Sequence, residues 1–161
     1  MADTIGSYLW KGSDTKTIDE VQKYWTDNVN TTQFWTGDPR KIGSGEFFDK
    51  VSAFIKENYE HRYRLIEKEA AKYPGGKMLE VGCGAGWELL HWTRSGMQAT
   101  GLDLSKAALE LAQENFKHNK LDAEFKLGSA EELPFEDNTF DIVASLGVLH
   151  QTESTQRAVS E

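Results

Sequence analysis

The run Leu79-Glu80-Val81-Gly82-Cys83-Gly84-Ala85-Gly86 constrains this 161-residue chain more than any other feature. It begins as a short apolar strand, passes through three alternating glycines and meets a helical pattern at Trp87. A glycine turn between a strand and a helix N-terminus lets a ligand approach the backbone and is expected to aim free N–H groups at it. The spacing is G-x-G-x-G, with Trp87 standing where the dinucleotide fingerprint places its last glycine, so a smaller ligand is favoured over a dinucleotide pyrophosphate. A glycine-rich turn with a purely structural role is the competing reading.

The surrounding rhythm is that of strands alternating with helices, which predicts an α/β fold on a parallel sheet. Strands are expected over 78–81, 99–104, 123–127 and 140–146, and the last is apolar enough to be central. A helix is expected over 87–95. Ser105 caps another, with Ala108, Leu111, Ala112 and Phe116 on one face. Upstream, Thr17-Ile18-Asp19-Glu20 matches a capping box and Ile18, Val21 and Trp25 follow at helical spacing. Residues 29–45 read as a loop that carries Phe34 and Trp35. Residues 46–72 read as a long helix that Pro74-Gly75-Gly76 ends. Residues 157–161 look like the start of a further helix. The length suits one compact domain, divided into a helical N-terminal cap and lead-in helix over 1–73 and a ligand-binding Rossmann-like part over 74–161.

Asp103 closes the second expected strand about 20 residues beyond the loop, where a carboxylate can accept hydrogen bonds from both hydroxyls of a ribose. An adenosine-containing ligand follows from the pair. The alternative for Asp103 is a charge placed favourably at the next helix N-terminus.

The formal net charge of −8 gives no long-range attraction to phosphate backbones or anionic lipid, so neither nucleic acid nor membrane is an expected partner. A single cysteine, Cys83, excludes an internal disulfide framework and a multi-cysteine cluster, which fits a reducing cytoplasm. The first sixteen residues have no basic region followed by an apolar run, and no stretch is apolar enough to span a bilayer. A soluble, unexported protein is the expectation.

Four blocks together resemble the class I S-adenosylmethionine-dependent methyltransferases: the glycine loop, Gly101-Leu102-Asp103-Leu104-Ser105, Ala130-Glu131-Glu132-Leu133-Pro134-Phe135, and Phe140-Asp141-Ile142-Val143-Ala144-Ser145-Leu146-Gly147-Val148-Leu149-His150. The resemblance covers roughly residues 78–151. It implies a Rossmann-like three-layer sandwich of which this chain supplies the first four of the usual seven strands, S-adenosyl-L-methionine as cofactor, and a small-molecule methyl acceptor. Glu80 and the backbone around Gly82, Cys83, Gly84 and Gly86 would hold the methionine end. Asp103 would bind the ribose, with Leu104 on the adenine. Ser129, Ala130 and Glu131 would form the adenine edge, although the family commonly has aspartate in place of Ser129. Leu146 would line the methyl-donor pocket. His150 stands where related small-molecule enzymes often carry a His-His pair, here completed by Gln151, and is the candidate base. The segment with Trp25, Phe34-Trp35, Glu46-Phe47-Phe48-Asp49 and His61-Arg62-Tyr63 is similar to N-terminal caps of that group.

Methyl transfer from a sulfonium is an in-line displacement that needs alignment and exclusion of water more than a catalytic triad. His61, His91 and His118 fall on separate helices without metal-ligand spacing and read as surface or packing residues, so no metal is expected. Cys83 reads as a small loop residue and not a nucleophile. The Trp25, Phe34 and Trp35 aromatics either close over an acceptor or pack in the core. The expected apolar strand 140–146 would leave an open sheet edge for a dimer mate, a partner chain or the rest of a longer enzyme. The alternative function is a non-catalytic adenosine-ligand module acting with a partner. A nicotinamide-dependent oxidoreductase is disfavoured by Trp87 and by the Glu131-Glu132-Leu133-Pro134-Phe135 block.

Overall fold

The computed structural model describes residues 17–161. The leaderless reading of the first sixteen residues lies outside the described part. Helix α1, Ile18–Asp27, starts at the full Thr17/Glu20 capping box, which satisfies two of the donors that a helix start leaves open. The segment after it is not a plain loop. It contains 3-10 turns at Thr32–Phe34 and Pro39–Lys41, the second capped by Asp38. Helix α2, Gly45–Ala70, begins on a Ser44 cap and departs from helical geometry at Tyr59.

Strand β1, Lys77–Val81, leads through the glycine loop into α3, Trp87–Arg94. Strand β2, Gln98–Asp103, leads through the Ser105 cap into α4, Lys106–Asn119. Strands β3, Glu124–Leu127, and β4, Ile142–Ala144, complete a parallel sheet of order β3-β2-β1-β4, and α5, Thr155–Ser160, follows. The α/β architecture is the one the strand and helix alternation predicts.

Strand β4 departs from expectation. It is three residues long, where the sequence pattern predicted a strand over 140–146, and it forms the open edge of the described sheet that was expected of it, with Val143 59% exposed. Only Met78, Leu79 and Glu80 of β1 pair with it, and after Ala144 the chain turns so that the Ser145 hydroxyl donates to the Val81 carbonyl.

Three apolar clusters flank the sheet. Met78, Leu89, Leu90, Trp92 and Phe116 hold α3 and α4 against one face. Trp35, Phe47, Phe48, Val51 and Ile55 of the N-terminal helices enclose Ala85 and Trp87 of the loop and α3. Leu79, Val81, Leu102 and Ala158 fill the space beneath α5. Gly86 belongs to this packing: a Cβ there would stand 3.2 Å from Phe116 and 3.3 Å from Ala112, so its lack of a side chain lets α3 and α4 close together.

Candidate functional site

Two cavities open at the carboxyl ends of β1 and β2, where ligands bind in open α/β sheets. The first is lined by Trp25, Asp103, Leu104, Ser129, Ala130, Glu131 and their neighbours. The second is lined by Phe34, Tyr59, Arg62, Glu80, Glu88, Leu146 and theirs. Asn30, Gly82 and Gly84 belong to both walls, so the cavities meet at the glycine loop.

The loop is shaped by its own hydrogen bonds. The Gly82 and Cys83 N–H groups both donate to the Leu102 carbonyl, at 2.7 and 3.0 Å, and the Gly84 N–H donates to Asp103 Oδ2 at 2.8 Å. The expected free donors at these three positions are therefore already engaged, and what the loop offers a ligand is the open space at Gly84. Gly82 has φ +77°, and a Cβ there would lie 2.3 Å from Val148 Cγ2. Gly84 has φ +53° with nothing within 4 Å of the position a Cβ would take.

Asp103 ends β2, and its carboxylate also accepts the Ser105 N–H at Oδ1, 2.8 Å away. Burial raises its pKa, while the backbone N–H groups of Ser105, Gly84 and Leu104 pull it down. Each oxygen keeps a lone pair for a further donor. Leu104 lies beside it, and its carbonyl accepts from Gln22 Nε2 of α1 at 2.9 Å, which draws α1 across the first cavity.

Glu80 sits at the other end. It is 4% exposed, and its Oε2 has no hydrogen-bond partner. Burial, then the charges of Glu88 and Asp103, push its pKa well above the usual glutamate value, against one backbone hydrogen bond from Leu89. Glu88 pairs with Arg62 at 3.1 Å, and Arg62 lies 4.2 Å over the Tyr59 ring. The break in α2 at Tyr59 thus falls at this wall.

The other expected residues divide. Ser129 Oγ accepts the Glu131 N–H at 3.1 Å, and Glu131 Oε1 accepts the Ser154 N–H at 3.1 Å, so both brace the first cavity's wall. Buried Cys83 lines the second cavity, and burial, with Asp103 and Glu80 nearby, pushes its thiol pKa well up. Gly86 lines neither cavity. His150 is exposed on a 3-10 turn and also lines neither, whereas its neighbour Gln151 is buried and lines the first. Trp25 and Phe34 face different cavities, and Trp35 packs in the core. His91 lies beside Glu67 and stacks on Tyr63, and His118 lies beside Asp49.

Sequence reading missed Asn30, Thr31, Arg62 and Glu88 as cavity residues. Thr31 takes a left-handed conformation at φ 77°, which a β-branched residue resists, and its hydroxyl accepts from Trp87 Nε1 at 2.6 Å. No local pattern announces a turn held by a tryptophan 56 residues away.

Comparison with known proteins gives the class. Residues 79–161, just over half of the chain, match the methyltransferase domain family model. The chain belongs to this family, the class I S-adenosylmethionine-dependent methyltransferases. It is 38% identical over 176 aligned positions to the phthiotriol/phenolphthiotriol dimycocerosates methyltransferase of Mycobacterium tuberculosis, covering 96% of this chain and 59% of the relative. It is 40% identical over 83 positions to the malonyl-[acyl-carrier protein] O-methyltransferase of Erwinia billingiae, covering 49% of this chain and 32% of the relative. The chain thus spans 32% to 59% of the length of these relatives. Among solved structures, YcgJ from Bacillus subtilis aligns with TM-score 0.58 and 29% identity over 63% of this chain and 44% of its own. The geranyl diphosphate C-methyltransferase of Streptomyces coelicolor, determined with S-adenosyl-L-homocysteine, shares the fold at TM-score 0.61 and 16% identity, over 87% of this chain and 59% of its own.

Proposed function

We propose that the chain binds S-adenosylmethionine across the two joined cavities and forms the cofactor-binding part of a methyltransferase acting on a small-molecule acceptor in the cytoplasm. The observation that carries this is the placement of two acids of opposite character at the two ends of one cleft. Half-buried Asp103 has lone pairs to spare beside the first cavity, and buried Glu80 has an unpartnered oxygen beside the second.

In this reading Asp103 accepts the two ribose hydroxyls, and the adenine lies between Leu104 and the wall of Ser129, Ala130 and Glu131. Glu80 takes the ammonium group of the methionine end, a cation that relieves the cost of its burial. Gly82, Cys83 and Gly84 give the backbone surface along which the ligand runs. Gly86 acts by packing, and Leu146 borders the side from which an acceptor approaches. His150, outside both linings, is given no proton to move. When bound, the cofactor supplies an electrophilic methyl group. The chain's own residues fix its position and keep water from it, which removes much of the barrier in such displacements.

A second reading, a non-catalytic adenosine-ligand module working with a partner chain, draws on the outer edge of β4. That edge pairs with no described strand and exposes Val143. Titration calorimetry with S-adenosylhomocysteine, with NADH as control, tests the cofactor. Saturable binding of the first alone is expected, and no binding by a folded chain would refute it. Methyl transfer by the isolated chain would eliminate the second reading.

A further inference from the structure

The sulfur of S-adenosylmethionine joins the adenosine half to the methionine half and carries the transferable methyl group and a positive charge. A ligand with its adenosine in the first cavity and its methionine end in the second must therefore place that sulfur where the cavities meet. Three residues belong to both walls there, and two of them, Gly82 and Gly84, have no side chain. The third is Asn30.

Asn30 is held in place. Its Oδ1 accepts the Thr31 N–H at 2.9 Å and Gln33 Nε2 at 3.1 Å. Thr31 keeps a left-handed backbone and is tied through its hydroxyl to Trp87 Nε1 at the first turn of α3. Strained backbone persists only where its surroundings over-determine it. This turn fixes the N-terminal segment to the far side of the glycine loop.

From this juxtaposition we infer that Asn30 is the side chain that faces the sulfonium and sets the preference between the methylated and the demethylated cofactor. The inference rests on the cofactor reading given above. Val148 packs against Gly82 and Asp103 takes the Gly84 N–H, each within the first cavity's wall, so among the residues shared by both walls Asn30 alone brings a side chain, and its neutral carboxamide governs how strongly the charged ligand is held over its neutral product.

Asn30→Asp is the test. The aspartate keeps an oxygen to accept the Thr31 N–H and adds a negative charge at the neck. A charge within contact distance of the sulfonium favours S-adenosylmethionine over S-adenosylhomocysteine, which lacks that charge. The ratio of the two affinities, measured by calorimetry on the full chain, is expected to rise about 10-fold, with adenosine binding unchanged. Asn28→Asp adds the same charge two residues away, outside both linings, and is expected to leave the ratio alone. Asn30→Glu repeats the test with the charge on a longer arm. A ratio within twofold of the parent in both Asn30 variants, while the parent binds both ligands, overturns the inference, as does an equal rise in Asn28→Asp. A folded parent chain that binds neither ligand overturns the cofactor reading itself.

Discussion

Replacing Glu80 with glutamine should make the empty protein more stable and the loaded one weaker. In the folded chain the Glu80 carboxyl is held well above its ordinary value of 4.5 by burial and by the charges of Glu88 and Asp103. Unfolded, it titrates near 4.5. Below that pH both states are protonated and the group costs nothing by ionisation. As pH rises the unfolded chain releases its proton first, so stability is lost until the folded carboxyl ionises as well. The slope of that loss is about 1.4 kcal/mol per pH unit, or about 3 to 5 °C in Tm per unit for a chain of this size. Glu80→Gln removes it while retaining an oxygen for the Leu89 hydrogen bond. Melting curves of the parent and variant should therefore nearly coincide at about pH 4 and separate as pH increases, with the variant higher. The same change should weaken S-adenosylhomocysteine about 10- to 100-fold, the worth of one charge-assisted hydrogen bond. Parallel melting curves across this range would refute the burial argument. Unchanged affinity would refute the ammonium contact.

Three further outcomes are expected. Asp103→Ala should lower S-adenosylhomocysteine affinity on the order of 100-fold by calorimetry, with adenosine losing as much, because in the proposed reading both ligands would use the same ribose contacts. Gly82→Ala should destabilise the chain by about 1 to 3 kcal/mol in urea unfolding, since the new Cβ meets Val148 in a left-handed backbone, and Val148→Ala should restore part of the loss. Cys83, buried and with its thiol pKa pushed up, should resist a thiol-disulfide reagent at about pH 8 in the folded state and react once unfolded; rapid reaction of the folded chain would contradict that burial.

What the sequence made readable was local. The Thr17/Glu20 capping box, the Ser105 cap and the strand-to-helix passage through Gly82, Gly84 and Gly86 each act within a few residues, and all are present in the structure. Asp103 was legible because it lies one βα unit beyond the loop. The parts that stayed hidden depend on bonds between distant residues. Thr31 meets Trp87 across 56 positions, Gln22 meets the Leu104 carbonyl across 82, and the Ile18 N–H meets Glu153 across 135. Together these carry α1 and the Asn30 turn onto the cleft. Nothing in a polar stretch such as Asn28-Val29-Asn30-Thr31-Thr32 has a period that could announce such contacts. The length of β4 was misjudged for a related reason: apolar character extends over 140–146, but pairing needs a partner's backbone, and β1 offers only three registered positions. The engaged N–H groups of Gly82 and Cys83 were equally invisible, because the Leu102 carbonyl that takes them lies on the neighbouring strand.

The electrostatics of the cleft give the cofactor reading a physical logic beyond the motif. Glu80, Glu88 and Asp103 lie around one loop, and each of the other two raises the pKa of Glu80. Arg62 pairs with Glu88, but Glu80 keeps an oxygen with no partner. An interior arranged for stability alone would replace Glu80 with an apolar residue, because a buried carboxylate without a partner is among the costlier features a fold can keep. Its retention is consistent with a ligand that brings positive charge, and S-adenosylmethionine brings two, on the ammonium and on the sulfonium. Loss of the methyl group removes the second and leaves the first. On this account Glu80 would hold substrate and product cofactor alike, and discrimination between them would fall to the neck, where the sulfonium would sit beside Asn30 and two glycines.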